Sequence, residues 1–141
     1  VDENFNSLEW RQSEVPSANG HGNARALAKL YGALALGGEL DGVRIIGRET
    51  LLRASAEQWE APDLATGLRM RLGLGFRLGS ADTPMGPNRA AFGSTGAGGA
   101  ISFCDMDVGI GFGYAMNAKY PGLAVGPRTA ALVDALYDCE F

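Results

Sequence analysis

With 141 residues, 46% of them hydrophobic, the chain has the size and composition of one globular domain around a single core. Its net charge of −4, from 12 basic and 16 acidic residues, argues against a generic nucleic-acid-binding face, and no run of about 18 apolar residues marks a membrane span. Two cysteines, Cys104 and Cys139, make neither a disulfide framework nor a zinc set, and with His21 the only histidine a His-rich metal centre is excluded, so no cofactor is implied.

The chain begins at Val1, and no signal-peptide pattern follows. Residues 1–22 read as a loop segment: polar, with isolated Phe5, Leu8 and Trp10, and ending in an Asn19-Gly20 turn signal. This start reads as the interior of a longer protein. Residues 23–60 hold two helices. Asn23 is a suitable N-cap for the first, from about Ala24 to Leu36, with Leu27, Leu30, Tyr31 and Leu34 at the spacing of one buried face and Gly37-Gly38 ending it. Residues 39–42 are a turn and Val43–Ile46 a short extended piece. The second helix is predicted from Arg48 to about Gln58, with Leu51 and Leu52 inward.

Residues 57–67 read as loop, with Pro62 and Asp63 as breakers. Residues 68–117 then read as strands. Leu68, Met70, Leu72, Leu74, Phe76 and Leu78 share one parity and Arg69, Arg71 and Arg77 the other, the pattern of a half-buried strand. After a loop with Pro84 and Pro87, the segments 90–95, 100–105 and 108–117 form a three-strand antiparallel meander. Asp105 and Asp107 read as flanking a solvated turn, and Cys104 as a small core residue. Residues 126–139 hold a last helix with Pro127 at its first position and Leu132, Val133, Leu136 and Tyr137 as the stripe that docks on the meander. The class is α+β: a three-strand meander plus one more strand, packed against helices.

The stretch from Ala91 to Ile101 carries four glycines in seven positions: Gly93, Gly96, Gly98 and Gly99. A phosphate loop fails on detail. There is no G-x-G-x-x-G, no Lys follows as in a Walker loop, and such loops open a helix, whereas Ser102–Tyr114 alternates like strands. A glycine-rich β-turn without function is the plain alternative.

A third reading rests on an ordered set of motifs. Asn19-Gly20-His21-Gly22-Asn23 with the following helix and Gly37-Gly38, then Gly47-Arg48-Glu49-Thr50-Leu51, Leu72-Gly73-Leu74-Gly75-Phe76, Ser94-Thr95-Gly96 and Asn117-Ala118-Lys119-Tyr120-Pro121 resemble, in the right order, the C-terminal portion of the serine β-lactamase superfamily: class C β-lactamases, related esterases and penicillin-binding proteins. The resemblance implies an incomplete β-lactamase/transpeptidase-like fold over residues 1–141. It implies acyl transfer from a small-molecule ester or amide through an acyl-enzyme. Ala97 would offer its N–H to the oxyanion, while Ser94, Thr95 and Gly96, with Asn117 and Lys119 at the cleft rim, would bind substrate.

Two departures qualify this. Ser94 stands where the family's motif begins with Lys or His, so this position brings no positive charge. No serine is followed three residues later by lysine, and no tyrosine opens a Tyr-x-Asn; Ser17-Ala18-Asn19 matches Ser-x-Asn in form but sits in a loop. In the family both missing elements lie N-terminal to the matched region. The expectation is therefore a portion of a serine hydrolase with no nucleophile of its own, inactive alone, whose open sheet edge pairs with the missing N-terminal part or with another copy of itself. A non-catalytic pseudoenzyme or binding domain on the same fold is the alternative.

Overall fold

The computed structural model describes residues 4–18, 20–122 and 125–139, so Val1 and Asn19 lie outside the described residues. The first segment is not all loop. It holds a 3-10 turn at Asn4–Asn6 and a short helix α1 at Leu8–Gln12, capped by Ser7, whose hydroxyl accepts from Trp10 N–H at 3.1 Å. A serine at this place satisfies a donor that the first turn leaves open, and that was the overlooked signal.

Helix α2 (Ala24–Ala35) forms as expected. Asn23 Oδ1 accepts from Ala26 N–H at 2.9 Å. At the other end Gly38 N–H donates to Ala33 O and Gly37 N–H to Leu34 O, at 2.8 and 2.9 Å, closing a Schellman cap. Tyr31 and Leu34 are buried and Leu27 is half-buried, but Leu30 is exposed beside the small hairpin of β1 (Glu39–Leu40) and β2 (Val43–Arg44). Helix α3 (Arg48–Ser55) stops short of Gln58; Leu51 is buried and Leu52 is half exposed.

The sheet has six strands where the sequence pointed to four. They are β3 (Trp59–Pro62), β4 (Arg69–Leu72), β5 (Arg77–Leu78), β6 (Phe92–Thr95), β7 (Ile101–Asp105) and β8 (Ile110–Tyr114), all antiparallel and in sequence order. The region expected to be loop contributes β3. The expected single strand over 68–78 is a hairpin: Gly73 N–H donates to Phe76 O at 2.9 Å, Gly75 takes φ +84°, and Leu74 at the tip is exposed. In sequence the apolar alternation runs unbroken through the turn, so alternation alone could not reveal it, although the pairing of Arg71 with Leu78 and of Leu72 with Arg77 puts Leu78 on the opposite face from Met70 and Leu72. Arg71, on the polar parity, is 5% exposed. Its guanidinium donates to Glu57 Oε2 from Nη2 at 2.6 Å and to the carbonyls of Gly79 and Arg89 from Nη1 at 2.5 and 3.1 Å. A planar fork of five donors suits such a site, and it ties the β3–β4 hairpin to the loop ahead of β6.

The two faces of the sheet carry two cores. Leu78, Phe92 and Cys104 pack with Tyr31, Leu34, Ala35 and Leu51 on one side. Ile101 and Phe103 pack with Met85, Ala91, Val125 and Val133 on the other, beneath α4 (Pro127–Tyr137). Phe92 and Phe103 are each fully buried, contributing roughly 1.5–3 kcal/mol of transfer free energy apiece. Leu132, expected in the stripe of α4, is half exposed.

Helix α2 reaches the sheet through two glycines of β8. A Cβ on Gly111 would lie 2.1 Å from Gly32 N, and one on Gly113 would lie 2.6 Å from Ala24 O. Backbone meets backbone there, so neither side can yield. Among the described residues β8 has no strand partner on its outer edge.

Asp105 corrects a second expectation. It is not in a solvated turn but is completely buried. Asn88 Nδ2 and Tyr137 Oη donate to its Oδ2 at 2.7 and 2.8 Å, and Asp107 N–H donates to its Oδ1 at 3.0 Å. Burial, then the hydrogen bond and charge of Asp105, push the Tyr137 phenol well above its ordinary pKa, so it stays a donor.

Two predictions follow from this packing. Gly113→Ala should cost about 2 kcal/mol or more, read as a lowered midpoint in urea unfolding, because the overpacking falls on backbone. Asp105→Ala should cost about 3 kcal/mol by orphaning its donors, Tyr137→Phe about 1–2 kcal/mol, and the double variant less than their sum in the same titration.

Candidate functional site

The glycine-rich stretch resolves into the end of β6, a turn over residues 96–99, and the start of β7. Pairing sets Ser94 opposite Ser102 and Phe92 opposite Cys104. Strand alternation then sends Ser94 and Ser102 to the α2 face, and Thr95 and Ile101 to the α4 face.

On the α2 side an open cleft of about 340 Å³ lies against the end of β6. Ser94, Thr95, Gly96 and Ser102 line its sheet wall, Leu27 of α2 its floor, and residues 16–18 with Gly20 the facing wall. None of these described lining residues is charged. Burial raises the pKa of the Tyr31 phenol above its ordinary value, and Ser102 offsets part of that shift. Cys104, next on the same face of β7, is pushed by burial to about 12, so it is a packed thiol and not a nucleophile near neutrality.

The turn is held from several sides. Gly96 N–H donates to Ala100 O at 2.8 Å and Gly99 N–H to Gly96 O at 3.2 Å. Tyr120 N–H donates to Gly98 O at 2.7 Å, and buried Thr129 Oγ1 donates to Gly99 O at 2.7 Å. Gly98 and Gly99 have φ of +92° and +100°, and a Cβ on Gly98 would lie 2.9 Å from Lys119 Cγ. These two positions therefore require glycine on conformational and steric grounds alike. Ala97, between them and Gly96, is exposed, and its N–H has no hydrogen-bond partner among the described residues.

The residues singled out from sequence are thus partly gathered. Ser94, Thr95 and Gly96 line the cleft, and Ala97 heads the turn beside them. Asn117 and Lys119 do not line it. Both are exposed, and Lys119 packs its stem beside Gly98 and holds Nζ 4.9 Å from the centre of the Phe5 ring. His21 is exposed and lies outside the lining. Sequence reading set Ser17 aside as part of a loop and did not place Leu27, Ser102 or Thr129 near the site. Ser17 was visible in the Ser17-Ala18-Asn19 match, although Asn19 lies outside the described residues. Thr129 carries no local signal, because it lies thirty residues from its partner. Among the described residues no group of three or more His, Cys, Asp or Glu is placed to hold a metal ion, and no helix is long and apolar enough to cross a membrane.

Comparison with known proteins gives the same direction. The esterase/beta-lactamase LipL of Mycobacterium tuberculosis is 38% identical over 106 residues, which cover 74% of this chain and 24% of that protein. A crystal structure of a family VIII carboxylesterase superposes with a TM-score of 0.90 at 44% identity, over 96% of this chain and 36% of the other. A penicillin-binding protein homolog from Caulobacter crescentus superposes at 0.89 with 40% identity, over 94% and 36%. The chain thus spans about a quarter of the curated relative it matches and just over a third of these solved neighbours. The Beta-lactamase family model matches residues 2–136, and the chain belongs to that family.

Proposed function

We propose that this chain is the C-terminal part of a β-lactamase-like serine hydrolase domain and supplies one wall of its acyl-transfer site. The observation that carries this is the Ala97 amide: exposed, without a hydrogen-bond partner among the described residues, on a buried two-glycine turn beside a cleft. An exposed N–H that no protein acceptor takes up can meet the charge that develops on a carbonyl oxygen during acyl transfer. It needs no reorganisation at that moment, and one such donor is worth roughly 3–4 kcal/mol of barrier. Ser94 and Thr95 position the acyl group, and Gly96 leaves room for its approach. Asn117 and Lys119 form the outer rim beyond the turn. The nucleophilic serine and its base come from upstream sequence, since no Ser-x-x-Lys occurs here.

The partners follow from the same reading. The substrate is a small ester or amide. The outer edge of β8 takes upstream strands of the same domain, or, in the isolated chain, a second copy. With Ser94 the described residues of the wall carry hydroxyl and apolar groups and no cation. This favours an uncharged ester over a carboxylate-bearing β-lactam, because a carboxylate leaving water needs a charged partner. The same serine favours the second reading, a non-catalytic binding domain on this fold.

Two experiments test these points. The isolated chain is expected to give no turnover of p-nitrophenyl acetate or nitrocefin and to self-associate on size exclusion, while the longer parent turns over the ester and is labelled on serine by a fluorophosphonate. Saturable turnover with an acylated serine in this chain overturns the division of labour, and an unlabelled parent supports the binding reading. In the active parent, Ser94→Lys should raise the ratio of nitrocefin to ester hydrolysis roughly ten-fold, the worth of one charge-assisted hydrogen bond; an unchanged ratio removes Ser94 from the account of specificity.

A further inference from the structure

Helix α4 begins beside the glycine turn, and its first residues hold the loops that form the site. Arg128 Nη2 donates to Ala118 O at 2.6 Å, within the segment between Asn117 and Lys119. Thr129 Oγ1 donates to Gly99 O at 2.7 Å and is 2% exposed. Gly126, just ahead of the helix, has φ +78°, and a Cβ there would lie 2.7 Å from the Tyr120 ring. The backbone N–H of that same Tyr120 holds Gly98 O. The helix start, Tyr120 and the turn therefore form one packed unit, in which the carbonyls of Gly98 and Gly99 are each fixed by a donor.

Those carbonyls matter because of what glycine permits. At two consecutive positive-φ glycines, without Cβ atoms to restrict them, the peptide planes can rotate over a wide range of φ and ψ. Gly99 N–H in turn donates at 3.2 Å to Gly96 O, the carbonyl of the peptide unit whose N–H belongs to Ala97, so a rotation at Gly99 is transmitted to that amide. Resting on the acyl-transfer reading above, we propose that Thr129 is a positioning residue: its buried hydroxyl locks the Gly99 carbonyl and so fixes the direction of the Ala97 amide. It touches no substrate, since a whole turn of chain lies between it and the cleft. Its methyl contributes packing and its hydroxyl the aim, and these two roles separate by substitution.

The test uses the full-length parent with Thr129→Val, which keeps the shape and loses the donor, and Thr129→Ser, which keeps the donor. Active sites are counted by fluorophosphonate titration so that misfolded protein does not enter the rates. Thr129→Val is expected to lower kcat for a p-nitrophenyl ester roughly ten- to a hundred-fold, as for a displaced oxyanion donor. KM should stay within about two-fold and the Gly99 amide should exchange faster with deuterium, because transition-state binding alone is lost. Thr129→Ser is expected to restore at least about half of kcat, as the retained donor implies. If Thr129→Val lowers the melting temperature but leaves kcat per titrated site unchanged, or if Thr129→Ser is as slow as Thr129→Val, the proposal is overturned while the acyl-transfer reading stands. A wild-type parent that neither labels nor turns over ester overturns that reading, and the positioning role of Thr129 with it.

Discussion

The fold depends on one close approach, the backbone of α2 lying directly on Gly111 and Gly113 of β8. At 2.1–2.6 Å from a virtual Cβ, helix and strand leave no space for any side chain between them. That contact sets the depth at which Tyr31, Leu34 and Ala35 enter the core over Phe92 and Cys104. It also sets where the first half of the helix lies, and so places Leu27 as the floor of the cleft beneath Ser94 and Ser102. The apolar face of α2 provides the transfer free energy, but the two glycines decide the distance at which it is gained.

The other face is fixed by polar contacts at the two ends of α4. At its C-terminal end, Tyr137 reaches the buried carboxylate of Asp105, which Asn88 also holds. At its N-terminal end, Thr129 and Arg128 reach the carbonyls of Gly99 and Ala118. A buried carboxylate with no ion-pair partner among the described residues persists only when its lone pairs are filled by donors, and Asp105 has three. The helix thus acts as a brace between the loop ahead of β6, the turn after β7 and the turn that presents Ala97.

Much of this was legible beforehand. The cap at Asn23, the Gly37-Gly38 stop, the meander of β6 to β8 and Pro127 at the head of α4 are local decisions. Each follows from an N-cap oxygen, a positive φ, a period of two or a missing N–H. The glycine stretch was legible as a turn and not a phosphate loop, because alternation after it excludes the helix such a loop requires. The failures share a cause as well. In the 68–78 segment the apolar alternation continues through the four turn residues, so periodicity is blind to the hairpin and to the change of face it makes between Leu72 and Leu78. β3 carries Pro62 and reads as loop, yet it is an edge strand, where a missing donor costs nothing. Asp105 reads as a turn residue, and only the arrival of Asn88 and Tyr137, from 17 and 32 residues away, makes its burial possible.

By itself, then, the sequence determined the elements, the turn, the order of motifs that identifies the family, and the absence of a Ser-x-x-Lys, because each is written within a few neighbouring residues. Only the tertiary structure decided which of those residues share a site. It brought Ser94, Ser102, Leu27 and residues 16–18 around one cleft and left Asn117 and Lys119 outside its lining. It also set Thr129 behind the glycine turn. The reason is physical: contacts between residues tens of positions apart depend on helix depth and strand register, and these are set by the packing of whole faces and not by any local pattern.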